Sequence, residues 1–349
     1  MKKRLLSIVL GAFMLIGIGS VQAQDPHFTQ FSHAPMHLNP ALTGVYSGSF
    51  RLVANYRNQW SSVFGSNAFR TYAAGFDMRF FGIGKDYVSV GIHILSDQAG
   101  ESEFNLTQGH LSISYLKQLS GNSRWGTAQY LVAGAQLGLG QHGVNWDAMR
   151  FSLQFDGDAF NPNLPSGENF GQQSRAYVDI NAGLLWYAIF DERQSIYVGA
   201  SAHHINAPDI SFYDNQTESL LVKFSGIVGG EIPLGDYLSV LPAGMFMKQG
   251  PSMEIMAGAN LRYRNNDWNT VALRAGLWGR VVGKYGNGIG TDAVAVTAGI
   301  EIERFQIIAS YDINTSTLIA ASNRRGAFEL SFKYTHPPQS RGELRCPKF

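Results

Sequence analysis

From Phe50 onward the chain alternates apolar and polar positions with period two, the mark of strands whose two faces meet different surroundings. Tyr72, Ala74, Phe76, Met78 and Phe80 share one face, and Thr71, Ala73, Gly75, Asp77 and Arg79 the other. Val88, Val90, Ile92 and Ile94 likewise oppose Ser89, Gly91 and His93, and Phe328, Leu330, Phe332 and Tyr334 oppose Glu329, Ser331 and Lys333. About fourteen such segments recur, of the roughly 9–11 residues that cross a bilayer when tilted. They begin near Phe50, Arg70, Tyr87, Phe104, Ala128, Ser174, Ser195, Leu220, Tyr237, Ser252, Trp268, Asp292, Phe305 and Gly326. The ninth is the least regular: it is apolar on both faces and contains Pro242, which cannot donate to a ladder.

The connections sort by length. Long ones run over Gln59–Phe69, Ser96–Glu103, Gln141–Gln173, Asn206–Ser219, Val282–Thr291 and Asn314–Arg325, alternating with short ones such as Phe81–Asp86, Phe190–Gln194 and Pro233–Asp236. Short turns at one end and long loops at the other are how outer-membrane barrels are built. The expected fold is therefore all-β: a transmembrane antiparallel barrel of about fourteen strands over 50–335, with a short N-terminal segment, 24–49, and a C-terminal tail, 336–349. Tyr56, Trp60, Tyr87, Trp186, Tyr187, Tyr237, Trp268 and Tyr334 lie near strand ends, as interfacial girdles would.

Composition agrees with lipid-facing strands. Charged residues make up 15%, aromatics 12%, and there are 39 glycines, against about 25% charged in soluble domains. Mean hydropathy is only −0.08, as expected when every second strand residue faces a polar interior. The N-terminus reads as a signal peptide over 1–23: Lys2-Lys3-Arg4, the apolar stretch Leu5–Gly19, and Val21-Gln22-Ala23 before Gln24. Location in the outer membrane, against outer-membrane lipid, follows as the expectation. The 27 basic residues nearly balance 26 acidic ones, and no basic run follows residue 4, so a nucleic-acid partner is not expected. The inward face mixes Arg51, Arg57, Arg79, Arg262, Arg274 and Lys333 with Asp77, Asp179, Glu231, Glu254, Glu301 and Asp312. Selective pores favour rings of one sign, so mixed charges point to ion pairs filling the lumen.

Candidate chemistry is sparse. Gly138-Leu139-Gly140-Gln141-His142-Gly143 matches a dinucleotide fingerprint, but no helix follows the strand, as that site requires. His33 and His37 have i,i+4 spacing, which joins two ligands only on a helix; Pro35 between them and Pro40 beyond disfavour one, so an extended, docked segment is expected and no metal. His203-His204 falls at a strand end, one ring facing in and one out. Cys346 is the single cysteine, which excludes an internal disulfide. No nucleophile elbow or Ser/His/Asp set stands out, so neither catalytic residues nor a cofactor is expected.

Several segments in order resemble the PorP/SprF family of outer-membrane components of the type IX secretion system. Asp25-Pro26-His27-Phe28-Thr29-Gln30 with Asn39-Pro40-Ala41-Leu42-Thr43-Gly44 is similar to its DPxFxQ…NPAxxG opening, and Tyr56-Arg57-Asn58-Gln59-Trp60 to its YRNQW. Asp97-Gln98-Ala99-Gly100 resembles its NDxxG, Gly199–Pro208 with His204 its GxSxxHxxxxP, and Ser310-Tyr311-Asp312-Ile313-Asn314 its SYDxN; Cys346-Pro347-Lys348-Phe349 closes the pattern. Thr43 and Lys348 depart from it slightly. The resemblance implies support for export or surface attachment of cargo proteins such as gliding adhesins. It implies as partners secreted cargo with a type IX C-terminal signal, periplasmic secretion-ring components and a peptidoglycan-binding protein. Its motif positions Asn39, Pro40, Gly44, Arg57, Gln59, Trp60, Asp97, Gly100, His204, Asp312, Asn314, Cys346 and Phe349 are the candidate docking residues. The NPA-type opening is shared more loosely with fatty-acid transporter-like barrels, so carriage of hydrophobic small molecules is the alternative. A fourteen-strand ring lies between side-chain-filled and open barrels, which suits docking better than conduction of a folded protein.

Overall fold

Fourteen antiparallel strands close on themselves in the computed structural model, which describes residues 25–83, 85–100, 102–121, 127–265, 270–284, 288–337 and 346–348. They are β1 (Phe50–Gln59), β2 (Phe69–Ile83), β3 (Asp86–Ala99), β4 (Phe104–Gly121), β5 (Ala128–Gly143), β6 (Ser174–Asp191) and β7 (Gln194–His203), then β8 (Lys223–Pro233), β9 (Leu238–Gln249), β10 (Ser252–Tyr263), β11 (Val271–Lys284), β12 (Gly288–Ile302), β13 (Phe305–Asn314) and β14 (Arg325–Thr335). Each pairs with its chain neighbours, and β1 pairs with β14 from Arg51↔Thr335 to Gln59↔Ala327, so no edge is left open to lipid. The alternation sorts as the sequence reads: Leu111, Leu137, Leu139, Leu184 and Leu277 point out, while Asp77, Asp179, Glu231, Glu254, Asp312 and Glu329 are buried inside.

Several boundaries differ. The expected long connections at 96–103 and 282–291 are shortened, because β3 runs on to Ala99, and β11 and β12 run on to Lys284 and Gly288 past a bulge at Arg280/Val281. Above the lipid the outward face meets water, so apolar alternation stops while the ladder continues. For the same reason β4 and β6 reach 18 residues rather than the membrane-crossing length. β8 begins at Lys223, not Leu220, whose side chain is buried. β9 is a full member of the barrel. Its ladder to β10 is unbroken across Ala259↔Pro242, whereas pairing to β8 lapses between Gly229↔Ala243 and Ile232↔Val240, where the proline lacks its N–H. The signal peptide, Trp268 and Phe349 lie outside the described residues.

The remaining long connections, 60–68, 144–173, 204–222 and 315–324, share one end of the barrel, which is thus the extracellular one; both chain ends of the strand run lie at the other, periplasmic end. Among the girdle candidates Trp186 points out, but Tyr187, its neighbour, is fully buried inside and stacks on Tyr130 at 4.9 Å. Successive strand residues take opposite faces, so both could not have met lipid. Tyr87 also turns inward, beneath Arg79.

Candidate functional site

The lumen is occupied by residues 25–49, which run its length from Asp25 near the extracellular end to Ser49, whose N–H bonds the His336 carbonyl at the periplasmic end. The segment is not extended. It coils into helical turns at Phe31–His33, Pro35–Leu38 and Pro40–Leu42, with Pro35 and Pro40 each at the first position of a turn. Proline has no N–H to waste there and its φ suits the turn. The two histidines separate: His33 Nε2 meets Gln306 Oε1 at 3.1 Å, and His37 Nε2 the Pro26 carbonyl at 2.9 Å. No metal-ligating group of three occurs among the described residues.

Four fastenings hold this plug. At the top, Asp25 meets Lys223 Nζ and His204 Nε2, each at 2.7 Å, and His204 Nδ1 meets Asp179 at 2.8 Å; His110 reaches Asp179 as well, also at 2.8 Å. Both His203 and His204 are inside, against the expected in-and-out pair, because His204 adopts a left-handed φ of 58° that turns its ring back toward the lumen.

Below it lies the most charged cluster. Glu329 accepts the N–H groups of Thr29 (2.6 Å) and Gln30 (2.9 Å) and pairs with Arg57, directly opposite across the β1–β14 seam. Arg57 and Arg280 share Asp312, at 3.1 and 2.6 Å, and both donate to Thr29 Oγ1, which itself bonds Asp312. Arg57, Arg280, Asp312 and Glu329 each have an opposite partner and hydrogen bonds, the condition for burying ions.

Deeper, Asn39 caps the last turn through Ala41 N (2.8 Å) and donates to the Leu184 and Ala200 carbonyls of the wall, each at 3.2 Å. Pro40 lies so close to Gly134 that a Cβ there would sit 2.4 Å from the Pro40 carbonyl carbon. At the bottom, Asp77 holds Arg51 in a bidentate pair (2.7 and 3.0 Å) and accepts Gly44 N at 2.7 Å. Gly44 has φ +77°, and a Cβ on it would fall 2.0 Å from Ser89 Oγ, so only glycine fits. Cys346 closes the periplasmic mouth: its N–H bonds Ser47 Oγ, Arg79 approaches its Sγ at 3.3 Å, and Lys348 lies 3.7 Å from Glu231. The described end of the tail is thus folded into the barrel.

Gln59, Trp60 and Asp97 line an extracellular vestibule above the plug. Gln59 accepts from Arg57, and Thr71 Oγ1 donates to Asp97 at 2.6 Å. Trp60 has φ +59°, rare for a bulky residue and found where surroundings over-determine it; its N–H bonds the Gly326 carbonyl and its ring lies 5.2 Å from Phe69. Gly100 (φ +71°) makes the β3–β4 turn, and Asn314 pins the last loop through Ser322 (3.0 Å) and Ser316 N. The glycines of the dinucleotide-like run leave room for lumen side chains: a Cβ at Gly138 would meet His110, and one at Gly140 Tyr177. Thr29, Arg280 and Glu329 hold the plug without having been singled out as candidate positions; Glu329 was marked only by its place on the polar face of the last strand.

The top fastening gives a pH expectation. Burial opposes charge on His204, yet the Asp25 carboxylate and the Asp179 bond push its pKa from 6.5 up to about 9. Burial would raise Asp25, but Lys223 and His204 hold it well below the usual carboxylate range. A group whose pKa rises on folding gives stability that is complete below its unfolded value and lost as pH climbs through the folded one. Protease resistance of the N-terminal segment should therefore fall between pH 6.5 and about 9, and H204Q should flatten that fall. An identical profile in the variant would assign the titration elsewhere.

A closed, internally plugged barrel with apolar strands outside and ion pairs within is the architecture of an outer-membrane β-barrel protein. Residues 20–334 match the family described as type IX secretion system membrane protein PorP/SprF, and the chain belongs to that family. No curated protein matches the chain. Solved structures that resemble it include the CymD monoaromatic hydrocarbon channel (10% identity, covering 87% of this chain and 93% of that one, TM-score 0.48). Others are a TodX monoaromatic hydrocarbon channel mutant (13%, 84% and 91%, 0.47) and CdiB from Acinetobacter baumannii (6%, 82% and 60%, 0.46).

Proposed function

We propose that this chain is a plugged docking platform of the type IX secretion system, neither a channel nor an enzyme, that supports export or surface attachment of cargo such as gliding adhesins. The observation that supports it most is the plug: a lumen closed by Asp25–Ser49 and fastened at four levels leaves its two mouths as working surfaces. Cargo bearing the type IX C-terminal signal meets the extracellular mouth. The periplasmic mouth, with Cys346, Lys348 and the short turns, faces the ring components and a peptidoglycan-binding partner. The chain reaches this place through a cleaved signal peptide.

Deleting the gene tests this. Cognate cargo should disappear from the cell surface and accumulate in the periplasm, with other outer-membrane proteins unchanged. Full surface display without the gene would end the reading. Fatty-acid binding by the purified barrel, or stable porin-like conductance, would support the fatty-acid transporter-like alternative instead.

A further inference from the structure

The vestibule is a cavity of about 470 Å³ whose floor is the top of the plug, Asp25 to His27. Its walls include Trp60, Phe69, Phe104, Leu106 and Phe212, and the His27 ring at its floor lies against Glu254, Nδ1 to Oε2 3.4 Å. The cavity does not end at Phe212. That ring lies 6.0 Å from Trp146, Trp146 stacks on Phe170 at 5.3 Å, and Phe170 meets Phe151 at 5.2 Å. An aromatic track thus leads from the cavity out over the 144–173 loop, where Leu153 and Phe155 are 65% and 57% exposed.

The same rim is acidic. Glu103, Asp147, Asp158, Glu168 and Glu218 are all exposed on the loops above β3–β8, and Glu218 lines the cavity itself. The nearby cations are engaged: Arg175 pairs with Asp209 at 3.0 Å and Arg150 covers the Phe160 ring.

We propose that this vestibule and track bind an extended polypeptide segment of the exported cargo, carrying one large aromatic side chain between lysine or arginine residues. This rests on the secretion reading above. A single buried aromatic side chain covers about 150–250 Å² and is the commonest anchor of a protein interface; the cavity holds one ring with the backbone on either side. The acidic rim favours basic flanks and repels anionic lipid headgroups, which gives specificity more than affinity.

The test uses the purified full chain in nanodiscs and a short labelled peptide with one tryptophan flanked by lysines. The peptide should bind, and replacing its tryptophan by alanine should weaken binding about tenfold or more, as for a central anchor. Glutamate flanks should abolish binding, and added salt should weaken it through screening. F212A should lower affinity about tenfold, the loss of one aromatic contact. E218K, an exposed change, should weaken the lysine peptide and improve the glutamate one. Absence of binding, equal binding of both peptides, or unchanged affinity in folded F212A would overturn the proposal. Cargo lost from the surface on gene deletion but no peptide binding would defeat only the docking site. Peptide binding with the stated pattern but normal cargo display would defeat only the secretion reading.

Discussion

The variant E329A is expected to unplug the barrel. The Glu329 carboxylate holds two consecutive backbone N–H groups of the plug and the Arg57 guanidinium. Removing one member of a buried ion pair costs about 3–5 kcal/mol, and each buried donor left without an acceptor adds about 1–3 kcal/mol. These losses fall on the plug, because the β1–β14 ladder is made by backbone groups that the substitution leaves in place. The folded variant should keep its compact mobility on unheated gels, admit protease to residues 25–38, and conduct ions in planar bilayers where the parent is silent. E329Q, which keeps one acceptor, should fall between. A silent, protease-resistant E329A would show that the clamp is not what retains the segment.

G134V attacks the same segment by shape alone. A Cβ at Gly134 would lie 2.4 Å from the carbonyl carbon of Pro40 and 2.5 Å from Ala41 N, both backbone and so unable to swing aside. Overfilling a packed site costs about 1–3 kcal/mol and more where backbones collide, whereas valine itself favours a strand. Closure should survive while the Asn39 turn is expelled, giving the same protease and conductance signature as E329A. The control is G226V, an outward position with nothing within 4 Å of an added Cβ; it should leave the protein silent. A plugged, silent G134V would mean that the turn can seat elsewhere.

The strands were legible because the lipid and the lumen impose opposite demands on alternate residues, so the sequence carries the period directly. The ends of β3, β11 and β12 were not, since beyond the bilayer the alternation of apolar and polar residues no longer marks a strand that continues in water. The mixed charges of the inward face announced a filled lumen, and Arg57 and Asp312 were among the residues singled out, yet their meeting with Glu329 and Thr29 depends on register and on the path of the plug. Proline misled in the other direction: Pro35 and Pro40 suggested an extended chain, but each opens a helical turn whose N–H it would not have used. His204 was misjudged because alternation says nothing about a left-handed residue at a strand end.

The seam also constrains the order of assembly. The plug is the first part of the described chain and Glu329, on the final strand, grips it; Arg57, on the first strand, grips both. A finished cylinder would have to be threaded with three coiled turns past Arg51, Arg57 and Arg280, each paired inside. The segment is more readily laid against the sheet while it is still an open ribbon, so that β14 arrives last and shuts over it. Residues 25–49 then act as a mandrel, and ring closure is completed on a surface that the protein carries with it.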